Sequence, residues 1–170
     1  MNRGGSAKRI AAYGVLTALA LVLSYVEAMI PVNLGIPGAK IGLPNLVTML
    51  LLYTTGPKAA VLIAAIRIVV TGFTFGNLFM IFYSASGFVL SMAVMLLLKR
   101  SGAFSVTGVS LAGGVSHNLG QLCCAAVLTG PYVFAYFPVL LCAGVLAGLG
   151  IGLLGGLLVK RVGPLLRQLL

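Results

Sequence analysis

Negative charge is almost absent from this chain. Glu27 is the only acidic residue among 170, and there is no aspartate. Magnesium sites that act on diphosphates need several carboxylates, and a catalytic triad needs an acid that orients its histidine. A P-loop for nucleotide phosphates is also missing. The sequence therefore predicts a protein that is not an enzyme and that carries no cofactor.

Charged residues of either sign are scarce. They make up 7% of the chain, while 61% of the residues are hydrophobic and the mean hydropathy is +1.18. A soluble domain is about 25% charged, and a soluble fold of this length could not remove so much apolar surface from water. The composition predicts an all-α integral membrane protein, with one transmembrane domain over residues 1–170.

Cysteine is rare and shows no pattern typical of metal or disulfide chemistry. Cys123, Cys124 and Cys142 lie inside apolar runs without a CxxC motif or any ligand spacing. We predict that they are small buried residues in helix packing. No metal site is predicted.

Six apolar runs, separated by glycine and proline, predict six transmembrane helices. They cover residues 10–30, 41–54, 57–72, 77–98, 107–129 and 136–159. A spanning helix needs about 20 residues, so the second and third runs are short and could form a re-entrant hairpin between four full spans. Lys58 would lie at the tip of that hairpin, and a charge deep in lipid is costly. Six spans are therefore favoured.

Positive charge is abundant, with a net charge of +10, and it is sorted by side. If the N-terminus is cytoplasmic, only Lys40 lies outside, and Arg67 lies within a helix. This asymmetry follows the positive-inside rule and predicts that both termini are cytoplasmic. The cations do not follow one helix face, so the predicted partner is membrane lipid and not nucleic acid. The nine cytoplasmic cations are Arg3, Lys8, Arg9, Lys58, Lys99, Arg100, Lys160, Arg161 and Arg167.

Two charges fall inside the predicted membrane spans. Glu27 lies near the outer end of the first helix, and Arg67 lies in the third helix at a similar depth. Charged residues in membranes usually face the protein interior and find partners. Either the two form a stabilising ion pair, or one of them contacts a ligand.

The fifth helix contains a polar cluster at mid-membrane depth. His117 and Gln121 are four residues apart and share a face, and Asn118 is adjacent to both. Such clusters mark substrate or proton pathways, and the alternative is hydrogen bonding between helices. We predict a ligand or gating role for the three residues.

The first outer loop is rich in glycine and proline, which is typical of a recognition loop. Lys40 is its only cation and could meet an anionic ligand, with Asn45 just below it. The alternative is a constrained turn, followed by a helix that starts after Pro44.

Small residues recur at steps of four in two helices. Gly14 and Ala18 form such a pair in the first helix, which permits close approach of a second helix. The sixth helix carries a stripe of Gly144, Gly148, Gly152 and Gly156. Each set could dock a partner subunit, and packing within this chain is favoured for the sixth helix.

Two motifs resemble a known family. One is the Gly38–Asn45 segment, followed by Gly56 and Pro57, and the other is the Gly114–Gln121 segment. Together they are similar to the bacterial Gx transporter family, which is also labelled heptaprenyl diphosphate synthase component I. The resemblance covers nearly the whole chain and implies a multi-pass protein of the bacterial cytoplasmic membrane.

That family is similar in architecture to substrate-binding S-components of energy-coupling-factor transporters. The resemblance implies six helices, a ligand in the outer half beneath the first loop, and energy supplied by an ATPase and a transmembrane coupling subunit. It also implies that Gly14 and Ala18 dock the coupling subunit. The predicted ligand-binding residues are Lys40, Asn45, Glu27, Arg67, His117, Asn118 and Gln121.

The resemblance also implies two alternatives to transport. Related genes occur in flavin- and quinone-dependent extracellular electron transfer, which implies redox partners. The synthase label implies a membrane partner of heptaprenyl diphosphate synthase in isoprenoid quinone biosynthesis. That partner would be noncatalytic, because prenyl diphosphate synthases use aspartate-rich magnesium motifs and this chain has no aspartate.

Overall fold

The computed structural model describes residues 3–30 and 41–170, and within these ranges the chain forms helices without strands. Lys40 lies outside the described residues. A short 3₁₀ helix, Pro131–Tyr136, connects α5 to α6. The α-helices are α1 (Arg3–Met29), α2 (Asn45–Thr54), α3 (Pro57–Phe75), α4 (Leu78–Ser101), α5 (Val106–Thr129), α6 (Phe137–Arg161) and α7 (Gly163–Leu169).

Five helices are long and apolar enough to cross a membrane, namely α1, α3, α4, α5 and α6. Their outward faces expose large apolar side chains such as Val15, Phe73, Val127 and Leu146. Water would not tolerate such a surface, whereas lipid matches it. The predicted class, an all-α multi-pass membrane protein, is confirmed.

The second helix is shorter than the sequence predicted. It begins at Asn45 and not at residue 41, because Gly42 has a φ of +84° and Pro44 has no backbone N–H to continue a helix upstream. The helix therefore starts after Pro44, and whether the preceding loop recognises a ligand stays a prediction. With ten residues, α2 is about 15 Å long, half of a hydrocarbon core of about 30 Å.

The two ends of the bundle differ in composition. At one end, the ring of Tyr25 in α1 lies 5.6 Å from the ring of Phe75 in α3. At the other end, Lys99 of α4 and Arg167 of α7 donate to backbone carbonyls at the C-terminal end of α2. Since α1 ends at the aromatic end, the start of α1 and the last helix, α7, lie at the cationic end, which the positive-inside rule predicts to be cytoplasmic.

The core of the bundle surrounds α2. Six consecutive residues, Val47–Leu52, are buried, so α2 is enclosed on all sides, as expected for a helix that is apolar all round. It packs against α1, α3, α6 and α7. The apolar core therefore lies in the cationic half of the bundle, and the space beyond Asn45 is left for other side chains.

Polar side chains begin two of the long helices. Asn77 accepts a hydrogen bond from the Met80 N–H at 2.9 Å and thereby caps the start of α4. Ser105 accepts one from the Gly108 N–H at 3.1 Å at the start of α5. These two caps define where α4 and α5 begin.

The glycine stripe of α6 packs against α5 within the chain. A Cβ atom added at Gly148 would lie 2.7 Å from the Cα of Leu111, and one at Gly152 would lie 2.8 Å from the Cα of Thr107. Because real Cβ atoms do not approach a backbone so closely, the two helices are in contact only because glycine stands at these positions. The predicted packing role of the stripe is confirmed.

The cysteines are placed differently from the prediction. Cys123 and Cys142 are exposed, Cys124 is half-buried, and all three are free. The prediction of buried packing residues is wrong for Cys123 and Cys142, since lipid accepts an outward-facing thiol as readily as an interior does.

Candidate functional site

A cavity lies at the N-terminal end of α2, lined by residues from all of the helices α1 to α6. Its volume is about 70 Å³. One buried water needs a cavity of at least about 10–15 Å³. The cavity therefore has room for several waters or for a small chemical group.

The cavity brings together six of the seven predicted ligand-binding residues. They come from four different helices, and the seventh, Lys40, lies outside the described residues. The sequence suggested only that Glu27 and Arg67 could pair, so the convergence of all four helices is a finding of the tertiary structure. Their binding role stays a prediction. The six are Glu27, Asn45, Arg67, His117, Asn118 and Gln121.

Glu27 is held by the turn that precedes α2. Its carboxylate accepts a hydrogen bond from the backbone N–H of Gly42. This places the only acid of the chain at the N-terminal end of α2, where the helix dipole stabilises negative charge.

Arg67 lies in the same cavity with one donor unused. Its Nε is buried, and no residue in the described part of the chain accepts a hydrogen bond from it. Glu27 is near enough to act on Arg67 electrostatically, but it does not accept a hydrogen bond from Arg67 Nε. A guanidinium stays charged, so the cavity contains a cation with a free N–H.

The polar cluster of α5 faces this cavity through a close contact with α4. A Cβ atom at Gly87 would lie 2.7 Å from Gln121 Cγ and 3.0 Å from His117 Cε1, so glycine is needed there. Gln121 is only 2% exposed. Asn118 donates its Nδ2 hydrogen to the Leu140 carbonyl at 2.7 Å, which ties α5 to α6 and orients the amide.

Several hydroxyl groups of the cavity were not predicted. Thr48, Ser91 and Ser110 line it, and all three residues are buried. A signal for part of this set was present: Ser84 and Ser91 are two helical turns apart in α4, on the face that also carries Gly87. Polar residues on a glycine-bearing face of an apolar helix indicate a helix contact or a cavity.

The comparison with known families gives one match. A family described as heptaprenyl diphosphate synthase component I matches residues 16–158, most of the chain. The chain belongs to this family. The resemblance drawn from the two motifs is thereby confirmed, while no curated protein and no solved structure matches the chain.

The family description names a component of a synthase and not the whole enzyme. This chain has no aspartate and one glutamate, and the described ranges contain no group of three acidic, histidine or cysteine side chains that could hold a metal ion. What the cavity offers chemically is one guanidinium, one carboxylate, an imidazole, amides and hydroxyls, with Met49, Phe88 and Met95 as apolar lining. This arrangement is suited to binding a small polar molecule.

The predicted docking residues of this family member lie on a different surface. Gly14 and Ala18 are both exposed on α1. A Cβ atom at Gly14 would meet no other atom within 4 Å. The face is therefore available to a partner helix, and its docking role stays a prediction.

Proposed function

We propose that this chain is a membrane-embedded substrate-binding subunit of the energy-coupling-factor S-component type, which holds a small polar molecule in the cavity at the N-terminal end of α2. The observation that carries the proposal is the convergence of Glu27, Asn45, Arg67, His117 and Gln121 on one cavity. If these polar residues served only to hold pairs of helices together, there would be no reason for residues from four helices to line the same cavity.

The hydrogen-bonding capacity of the cavity supports binding. Most buried polar groups in proteins are hydrogen-bonded, yet the buried Nε of Arg67 has no protein partner in the described ranges. Leaving such a group unsatisfied costs about 1–3 kcal/mol. A polar ligand, or water in its absence, would recover this free energy.

The half-length of α2 also supports a transport role. Secondary transporters bind substrates near the bilayer midplane with discontinuous helices whose N-terminal ends point at the substrate. Here α2 begins at Asn45, beside the cavity, and continues to the cationic end of the bundle. It therefore supplies a helix N-terminus at the depth where a transported molecule would be held.

The energy for transport would come from partner proteins in a bacterial cytoplasmic membrane. The sequence has no P-loop, so an ATPase and a coupling subunit are needed. The exposed face of α1 at Gly14 and Ala18 is the surface we propose for the coupling subunit, because small residues allow close helix contact in lipid.

Mass spectrometry of small molecules that copurify with the protein in mild detergent tests this proposal. We expect one compound in stoichiometric amount in the wild type and its loss in His117→Ala. The matched control is Ser116→Ala, since Ser116 is the neighbouring residue, does not line the cavity and donates its hydroxyl to the Ala112 carbonyl at 2.6 Å. Equal ligand content in all three proteins, or none in any, would contradict the assignment of this site.

A second candidate function is favoured by the family description. In this alternative, the chain is a noncatalytic membrane partner of heptaprenyl diphosphate synthase. It predicts that adding the purified chain in nanodiscs to the catalytic component changes product length or rate. The same experiment with His117→Ala separates the two functions, because a docking partner would keep its effect when the cavity is altered.

A further inference from the structure

We infer that the ligand of this cavity carries a single carboxylate and that Arg67 binds it. The inference rests on the proposed binding function and goes beyond it by naming the charge and chemical class of the ligand. It depends on three observations: the unused donor of Arg67, the contact of Glu27 with the turn that begins α2, and the sum of charges around the cavity.

Arg67 provides the donor that a carboxylate needs. Its Nε is buried and has no acceptor among the described residues. A guanidinium presents Nε and a terminal nitrogen as a fork that matches the two oxygens of a carboxylate. Hydrogen bonds of this kind are about twice as strong as those between neutral groups. An incoming carboxylate would therefore gain more at Arg67 than any neutral acceptor.

Glu27 does not fill this place. One oxygen of its carboxylate accepts from the Gly42 N–H in the turn that begins α2, and the carboxylate does not accept from Arg67 Nε. No other acidic side chain exists in the sequence. The chain itself thus cannot supply a second carboxylate for Arg67.

The charges around the cavity limit the ligand to a small charge. Among the described residues that line the cavity, Glu27 and Arg67 cancel formally, and the N-terminal end of α2 adds about half a positive charge. A monoanion would leave about half a negative charge, whereas a diphosphate with two or more charges would leave a large excess in a medium of low dielectric, where uncompensated charge is expensive. This argument separates a carboxylate from the diphosphates that the family description suggests.

The hydroxyl groups around the cavity also suit a carboxylate ligand. Thr48, Ser91 and Ser110 are hydroxyl residues that line the cavity. A hydroxyl can donate to any carboxylate oxygen that Arg67 leaves unsatisfied. The volume of about 70 Å³ admits such a group.

Binding of matched acid and amide probes tests the inference. We propose to titrate the purified protein with propionate, propionamide, benzoate, benzamide and pyrophosphate, and to measure affinity by calorimetry at constant ionic strength. Each acid should bind at least about tenfold more tightly than its amide. Arg67→Gln should abolish this preference, and Arg67→Lys should reduce it, since lysine keeps the charge but loses the fork.

The matched control is Lys58→Gln, which removes the same charge from an exposed position at the cationic end of the same helix. It should leave the acid preference unchanged. If Arg67→Gln does not fold, the ratio of acid affinity to amide affinity is compared between the wild type and Arg67→Lys. A smaller ratio in Arg67→Lys supports the inference, and an unchanged ratio contradicts it.

The failures of the two proposals are distinguishable. Equal binding of acids and amides in the wild type would overturn the carboxylate inference and leave a binding protein. Tightest binding of pyrophosphate would overturn it in favour of a diphosphate ligand. If no probe binds, both the inference and the binding function fail.

Discussion

At its C-terminal end, α2 is surrounded by cations that donate to its carbonyls, and at its N-terminal end it meets the polar side chains of the cavity, among them Arg67 Nε, which has no acceptor among the described residues. Lys99 donates to the Leu52 carbonyl, lies 4.8 Å from the centre of the Tyr53 ring, and is joined by Arg167, which donates to the Tyr53 carbonyl at 3.3 Å. Toward the other end, the hydroxyls of Thr48 and its neighbours face the cavity. The C-terminal carbonyls of a helix attract cations, so the first arrangement completes the fold.

The difference between the two ends separates structural from functional polarity. In a membrane, water cannot satisfy a buried polar group, and an unmet donor or acceptor is costly. Where the chain supplies the partner, as at Lys99, the polar residue stabilises the bundle. Where no described residue supplies the partner, as at Arg67 Nε, we propose that a ligand does. Tyr53 Oη, near the cationic end, is also buried without a partner in the described ranges. Four experiments test this distinction.

The largest effect is expected from Gly148→Ala, which should damage both the fold and the cavity. The new Cβ would lie 2.7 Å from Leu111 Cα and 2.9 Å from the Ser110 carbonyl oxygen. Because backbone atoms cannot move aside easily, we expect a loss of about 3 kcal/mol in unfolding free energy, measured by SDS titration in mixed micelles. Gly150→Ala is the control, since a Cβ there meets nothing within 4 Å. Equal stability of the two variants would contradict the close packing of α5 and α6.

A smaller effect is expected at the cationic end. Lys99→Met should cost about 1.5 kcal/mol of unfolding free energy, because it removes a charged hydrogen bond to the Leu52 carbonyl. Ligand affinity should stay unchanged. The neighbouring exposed cation gives the control Arg100→Met, which should leave stability intact. If Lys99→Met loses ligand binding but keeps its full stability, the claim that the cationic end is structural and the cavity end functional would be contradicted.

The reverse pattern is expected at the cavity. The double substitution Thr48→Val and Ser91→Ala should lower ligand affinity about tenfold or more, while unfolding free energy stays within about 0.5 kcal/mol of the wild type. Calorimetry and SDS titration measure the two quantities separately. Ser116→Ala, on a hydroxyl with a backbone acceptor within its own helix, should not change affinity. A strong loss of stability in the double variant would show that these hydroxyls are structural.

The smallest effect on the isolated protein is expected from Gly14→Leu. The position is open to lipid, so stability and ligand affinity should match the wild type, while copurification of the coupling subunit should be lost. Gly150→Leu makes the same change at another open glycine, on α6, and should leave the partner bound. Retained partner in Gly14→Leu would exclude this face as the docking surface.

Much of the candidate site could be predicted from sequence, because a polar residue in an apolar helix is conspicuous. Glu27, Arg67 and His117 were predicted on this basis, and all three line the cavity. Serine and threonine are less conspicuous, since they are common in membrane helices and often donate to their own backbone, as Thr71 does to the Arg67 carbonyl at 2.7 Å. Ser91 and Ser110 were therefore missed.

The sequence alone determined that this protein lives in lipid, where its long helices lie along the chain, and which residues are too polar to face hydrocarbon. These properties depend on composition and on neighbours within one helix. Only the tertiary structure decided that α2 is half a span, that Glu27 contacts Gly42 while Arg67 keeps a free donor, and that Cys142 faces outward. These features depend on how helices are rotated and shifted against one another, and the steric fit that sets this joins residues far apart in sequence.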